Sequence, residues 1–208
     1  RSIYFFLFLL FLQLAVNIIL QQNKFLIQTA NGLQPALIPL LQSGDLIFRN
    51  GTDEVSRAAR SFNRKDTSYS HCGLVFWEND TPVVYHALGG IYNPSQKLLR
   101  QPLDSFCNPL ENNAIGIYRY PLNSEENQTL HNTVLAYYKA GLKFDLYFNY
   151  KTDDRMYCAE FVFKSLNKSL SGALTSYIRT DTIPFGVTTD DLFLHPDCRL
   201  IKKEKFLY

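Results

Sequence analysis

The sequence predicts an α+β domain, a small antiparallel sheet with helices packed on it, preceded by an apolar N-terminal helix. Three observations predict it. Short apolar runs bounded by turn residues recur at 46–49, 70–77, 82–88 and 114–119, as buried strands do. Segments beginning at Ser124 and Cys158 combine helix start signals or amphipathic spacing with helical length. Residues 3–20 are apolar apart from Gln13 and Asn17, with no charge between Arg1 and Lys24.

The apolar run comes first in the chain. Eighteen helical residues span about 27 Å, close to the thickness of a hydrocarbon core. With Arg1 as a small positive n-region, residues 1–24 read as a signal peptide or membrane anchor. That predicts an extracytoplasmic domain, periplasmic or secreted, with the membrane as a partner. Residues 25–43 read as a linker, because Asn31-Gly32, Pro35 and Pro39 break a long helix. Residues 44–208 form the domain proper.

Gly44-Asp45 makes a turn into a strand at 46–49, and Thr52-Asp53-Glu54 opens a helix that reaches Phe62. Residues 63–69 are a polar loop. Strands at 70–77 and 82–88 flank Glu78-Asn79-Asp80-Thr81 and read as a hairpin. With Asn79 and Asp80 as the two turn residues, facing positions sum to 159. Gly89-Gly90 ends the hairpin, and Ile91-Tyr92 and 114–119 read as further strands. Ser124-Glu125-Glu126 starts a helix that stops at Gly141, and the Cys158 helix runs to Leu166. Lys202-Lys203-Glu204-Lys205 reads as a solvated tail.

Composition narrows the function. A 46% hydrophobic, 19% charged chain with net charge +2 offers no basic stripe for nucleic acid. Four cysteines (72, 107, 158, 198) are too few for a dense disulfide framework. Neither C-x-x-C nor H-x-x-x-H spacing occurs, so no zinc site is expected. No glycine-rich phosphate loop is found, and no cofactor is expected.

Chemistry concentrates around Arg155-Met156-Tyr157-Cys158-Ala159-Glu160-Phe161-Val162. A thiol in the first turn of a helix meets unpaired N–H groups and the positive end of the dipole, which favour thiolate. Cys158 is the candidate nucleophile, and its backbone N–H a donor to an oxyanion. His71 is the candidate base. The hairpin register puts 71, 73, 86 and 88 on one face, so His86 is a diagonal neighbour able to orient His71. Cys72 points to the opposite face, into the core. Tyr157, Glu160 and Asp45 are candidate substrate contacts. Their structural alternatives are packing for Tyr157, helix-terminus stabilisation for Glu160 and turn formation for Asp45. Asp153-Asp154-Arg155 reads as a solvated loop, and His131 and His195 as structural.

The chain resembles the YiiX-like branch of the circularly permuted NlpC-type, papain-fold cysteine hydrolases. The resemblance rests on Gly44-Asp45-Leu46-Ile47-Phe48, Ser70-His71-Cys72-Gly73-Leu74-Val75, Val84-Tyr85-His86-Ala87, Gly141-Leu142-Lys143-Phe144-Asp145 and Asp153 to Val162, in order across 44–166. It implies a permuted papain-like fold, which explains why His precedes Cys, and an amidase or peptidase with Cys158 as nucleophile and His71 as base. YiiX-like relatives often carry Glu where His86 stands. Three functions follow as expectations. The first is hydrolysis of a peptide or amide, with peptidoglycan peptide as one such substrate. The second is lipid acyl transfer of the lecithin-retinol acyltransferase type. The third is a non-catalytic membrane-tethered binding module.

Overall fold

The computed structural model describes residues 2–177 and 186–206, with backbone alone for 2–6 and 23–35; Arg1 lies outside it. Helix α1 (Ser2–Leu37) covers both the apolar segment and most of the expected linker. Asn31-Gly32 and Pro35 do not end it. Their penalties are local, about 1 kcal/mol for Gly and 3 for Pro. Leu37 is buried in the core at the helix end and offsets about 2 kcal/mol of them. A 3₁₀ turn with Pro39 follows at Ile38–Leu40. Large apolar side chains from Leu7 to Leu20 are exposed. Among the described residues no helix is long and apolar enough to cross a membrane.

The domain is a six-stranded antiparallel sheet with helices on both faces. Its strands are β1 (Leu46–Gly51), β2 (His71–Glu78), β3 (Thr81–His86), β4 (Leu99–Pro102), β5 (Asn112–Arg119) and β6 (Arg199–Lys205), in the order β4-β3-β2-β1-β5-β6. The remaining helices are α2 (Glu54–Ser61), α3 (Leu103–Phe106), α4 (Ser124–Lys139), α5 (Cys158–Ser169) and α6 (Thr189–Phe193).

The β2–β3 register pairs Leu74 with Tyr85 and Glu78 with Thr81, the sum of 159 that the turn dictates. Asn79 and Asp80 both have positive φ (47° and 61°), as a two-residue type I′ turn requires, and Asn and Asp tolerate that region. Both faces of the central strands are buried, which explains their nearly unbroken apolar runs. Leu46, Phe48, Leu74 and Phe76 pack with Leu130 and Val134 of α4 and Phe161, Val162 and Leu166 of α5. Ile47, Val75, Val84, Ile115 and Ile117 pack on the other face with Leu37, Leu103 and Phe106.

Two local readings are corrected, and one strand is added. Ile91-Tyr92 lies in a 3₁₀ turn (Gly90–Tyr92), not a strand, and Gly90 holds φ at 70°. Strand β4 was not expected from its mixed composition. The basic segment near the C-terminus is not a loose tail but most of β6, paired along β5. Its alternating charges suit a solvent-facing edge strand, where lysine discourages pairing with other chains.

Candidate active site

Helix α5 begins at Cys158, with Tyr157 as the extended residue before it. The start is fastened from both sides. Glu160 accepts the Tyr157 N–H at 3.3 Å through Oε2 and pairs with Lys164 at 2.7 Å through Oε1. Lys164 also donates to the carbonyls of Tyr150 (2.9 Å) and Thr152 (2.6 Å) and to the Asp153 carboxylate (2.7 Å). The loop entering the nucleophile is thereby tied to the helix one turn further on. Asp153 is thus tied to α5, although its side chain remains exposed. Glu160 is fully buried and does not line the cleft, so of its two expected roles it takes the structural one. Burial pushes its carboxyl up to about 7, against the pull of Lys164.

Cys158 is half-buried and lines the cleft. Its pKa is lowered, first by a hydrogen bond from the Cys72 thiol and then by the backbone N–H groups of Ala159, Cys72 and Cys158, while burial opposes them. Cys72 is in the core as expected, but its face of β2 is the one α5 covers, and its thiol touches the candidate nucleophile. Burial raises the Cys72 pKa well above the ordinary value, so Cys72 stays a thiol and acts as the donor. The sulfur thus lies against the residue that follows His71.

His71 and His86 meet across the hairpin. Nε2 of His71 is 2.8 Å from Nδ1 of His86, and Nε2 of His86 is 3.0 Å from Oε1 of Gln101 on β4. Phe106 packs against both rings, with centroids 5.7 and 5.1 Å away. Burial, then the positive charge of Arg49, lowers both pKa values: His71 falls well below 6.5, and His86 to about 3. Both rings are therefore neutral at pH 7, and the chain of contacts determines their tautomers. Gln101 Oε1 can only accept, so His86 carries its proton on Nε2. His86 Nδ1 then accepts from His71 Nε2–H, which leaves Nδ1 of His71 as a free base.

Gly73, between His71 and Val75, makes this contact possible. A Cβ there would lie 2.8 Å from the Tyr85 carbonyl oxygen and 3.0 Å from the His86 Cβ. Gln101 and Phe106 were not singled out in the sequence; Gly73 was placed there on the face shared by His71 and His86. Only Gly73, inside a strand, carried a signal of close approach.

His71 and Cys158 line one cleft of about 690 Å³. The Cys158 sulfur takes its side-chain hydrogen bond from Cys72, and the His71 ring makes its own to His86. The walls are mostly apolar, with Val55, Phe62, Tyr92, Leu110, Leu146 and Phe148 among them. Tyr157 lines the cleft, and its hydroxyl bridges the Val187 carbonyl (3.0 Å) and N–H (3.1 Å). Asp45 does not line it. Asp45 is fully buried against Arg119, at 2.5 and 2.8 Å, and accepts the Gln42 N–H. A charged group so paired is committed to structure, not to substrate. His131 stacks on Phe76, and His195 packs against Tyr120 and Tyr177.

Known proteins resemble this chain in sequence and in fold. A model of the family described as permuted papain-like amidase enzyme, YaeF/YiiX, C92 family, matches residues 40–184. The uncharacterized protein YiiX of Escherichia coli strain K12 is 29% identical over 152 residues, 72% of this chain and 69% of YiiX. The crystal structure of the metalloprotein yiiX from Escherichia coli O157:H7 superposes with a TM-score of 0.60. It is 24% identical and covers 79% of this chain and 98% of its own, a likeness of fold. A metal does not fit the described residues here. No group of three or more His, Cys, Asp and Glu could hold one, and the facing nitrogens of His71 and His86 are spent on each other. With the match covering most of the domain, the chain belongs to the YaeF/YiiX family of permuted papain-like amidases, cysteine hydrolases of amide bonds.

Proposed function

We propose that this protein hydrolyses an amide through an acyl-enzyme, with Cys158 as nucleophile, His71 as general base and His86, held by Gln101, as the group that orients His71. The observation that carries this reading is the relay from Gln101 through His86 to His71, which leaves Nδ1 of His71 unprotonated, on the same cleft as a thiol of lowered pKa.

Nδ1 of His71 takes the thiol proton as sulfur attacks the carbonyl carbon. Backbone N–H groups at the start of α5 face the developing oxyanion. The imidazolium returns its proton to the leaving nitrogen, the C–N bond breaks, and a thioester remains. Water, deprotonated by His71, attacks the thioester and releases the acid and the thiol.

The apolar walls favour an amide with an apolar acyl portion over a polar cell-wall peptide. They also support the second reading, lipid acyl transfer, in which an amine replaces water in the last step. The exposed apolar stretch Leu7 to Leu20 supports an export or anchoring segment and a domain outside the cytoplasm.

The test is trapping of the acyl-enzyme by mass spectrometry, with medium-chain N-acyl amides, muropeptides and phospholipids supplied in competition. The expected result is an acyl adduct on Cys158 from the N-acyl amide. It should be absent in Cys158→Ala and reduced about 10²–10⁴-fold in rate in His71→Ala. Undiminished turnover by Cys158→Ala would refute the reading. Transfer of the acyl group to an added amine in preference to water would establish the second.

A further inference from the structure

The cleft is lined by one cationic side chain, Arg49, that the relay does not use. Arg49 lies on β1, paired in register with His71 of β2. Arg49 is half-buried, and burial lowers its pKa. Its guanidinium carbon lies 4.6 Å from the Phe106 ring centroid, and Nη1 donates to the Phe106 carbonyl at 3.2 Å. That uses one of five N–H donors. Among the described residues no carboxylate forms an ion pair with it, as is also the case for Arg60 and Arg199, whereas Arg57, Arg64, Arg100, Arg119 and Arg155 have one.

Two carboxylates, Glu111 and Asp53, and two thiols, Cys107 and Cys158, act electrostatically on Arg49. Asp53 is spent on capping α2, accepting from the Ser56 backbone N–H and hydroxyl. Glu111 is exposed at the rim. Arg49 is the one Lys or Arg among the cleft-lining residues, and its backbone is paired in register with that of the base. Withdrawing part of a guanidinium from water without a carboxylate partner carries a cost that an anion at the fork would offset. Its planar fork matches a carboxylate in a bidentate pair.

Building on the amidase reading, we infer that Arg49 anchors a carboxylate carried by the substrate, and that the enzyme selects amides bearing a free acid near the scissile bond. The apolar walls take the hydrocarbon portion. Arg49 holds the anionic end at the depth of His71, which orients the amide over Cys158.

The test separates this from the amidase reading. Octanoate and octanamide share a tail and differ in charge at the head. Their binding to the Cys158→Ala protein is measured by calorimetry, with Arg49→Gln and Arg49→Lys introduced into the same background. Octanoate should bind at least tenfold more tightly than octanamide. Arg49→Gln should abolish the difference, and Arg49→Lys should keep part of it. Equal affinities, binding of neither compound, or a preference that survives Arg49→Gln would overturn the proposal. If Arg49→Gln does not fold, the comparison of the two compounds in the parent and in Arg49→Lys still decides. Alkylation of Cys158 by neutral iodoacetamide in the protein with Cys158 intact reports separately on the nucleophile. Failure there refutes the amidase reading and leaves the carboxylate measurement standing.

Discussion

Replacing Asp45 by Asn separates a structural carboxylate from a substrate contact. Asp45 is wholly buried, and its oxygens accept from Arg119 Nε at 2.5 Å, Arg119 Nη2 at 2.8 Å and the Gln42 N–H at 2.8 Å. The amide keeps the shape but removes the charge, leaving the Arg119 guanidinium, whose side chain is 16% exposed, without its counter-ion. Breaking a buried pair from one side costs about 3–5 kcal/mol. The partial exposure of Arg119 puts this case near 3. For a domain of this size 1 kcal/mol moves the melting temperature by about 2–4 °C, so the loss should be about 6–12 °C. Calorimetry measures it, and the iodoacetamide rate of Cys158 at 25 °C and neutral pH, on folded protein, measures the site. The expected outcome is a lower melting temperature with an unchanged alkylation rate. An unchanged melting temperature together with weaker substrate binding would refute the reasoning and return Asp45 to the cleft.

Three other outcomes follow from the site. Cys72→Ala removes the thiol that hydrogen-bonds to Cys158, the first cause of its lowered pKa, so the pH midpoint of Cys158 alkylation should rise; an unmoved midpoint would show that the backbone N–H groups suffice. Gly73→Ala places a Cβ against the Tyr85 carbonyl and His86, so the His71–His86 contact should open. Turnover should then fall about tenfold or more with little change in KM, and a loss confined to KM would contradict this. His71 and His86 have folded pKa values below 6.5, His86 at about 3, so the unfolded chain binds more protons between those limits. Their contribution is fully present above about pH 6.5 and is lost as pH falls toward the folded value, by up to about 1.4 kcal/mol per pH unit for each ring. Glu160, raised to about 7, acts in the opposite sense, its contribution being lost as pH rises from 4.5 through 7. The quantity to measure is therefore the urea-midpoint difference between the parent and His86→Gln from pH 7.5 to 4.5. It should shift in favour of the variant as pH falls, and a constant difference would rule the linkage out.

What the sequence by itself determined was local. Asn79-Asp80 tolerate positive φ, and with a side-chain period of two the hairpin register follows, which makes 71 and 86 neighbours. The start of the amphipathic run puts Cys158 at a helix N-terminus. The Gly44-Asp45 turn, the capped helices at 54 and 124 and the stop at Gly141 are likewise short-range consequences of backbone dihedrals and capping. The tertiary structure decided what depends on partners distant in the chain. It paired Asp45 with Arg119, made a strand of Lys202 to Lys205 by offering the edge of β5, and brought Gln101 of β4 to His86. It also laid α5 over the face of β2 that carries Cys72, and left Arg49 half-buried, in register with His71 and without a carboxylate ion pair. Each of these depends on which surfaces the whole chain could bury together, and residues dozens of positions apart carry no periodic or capping signal that names their partner.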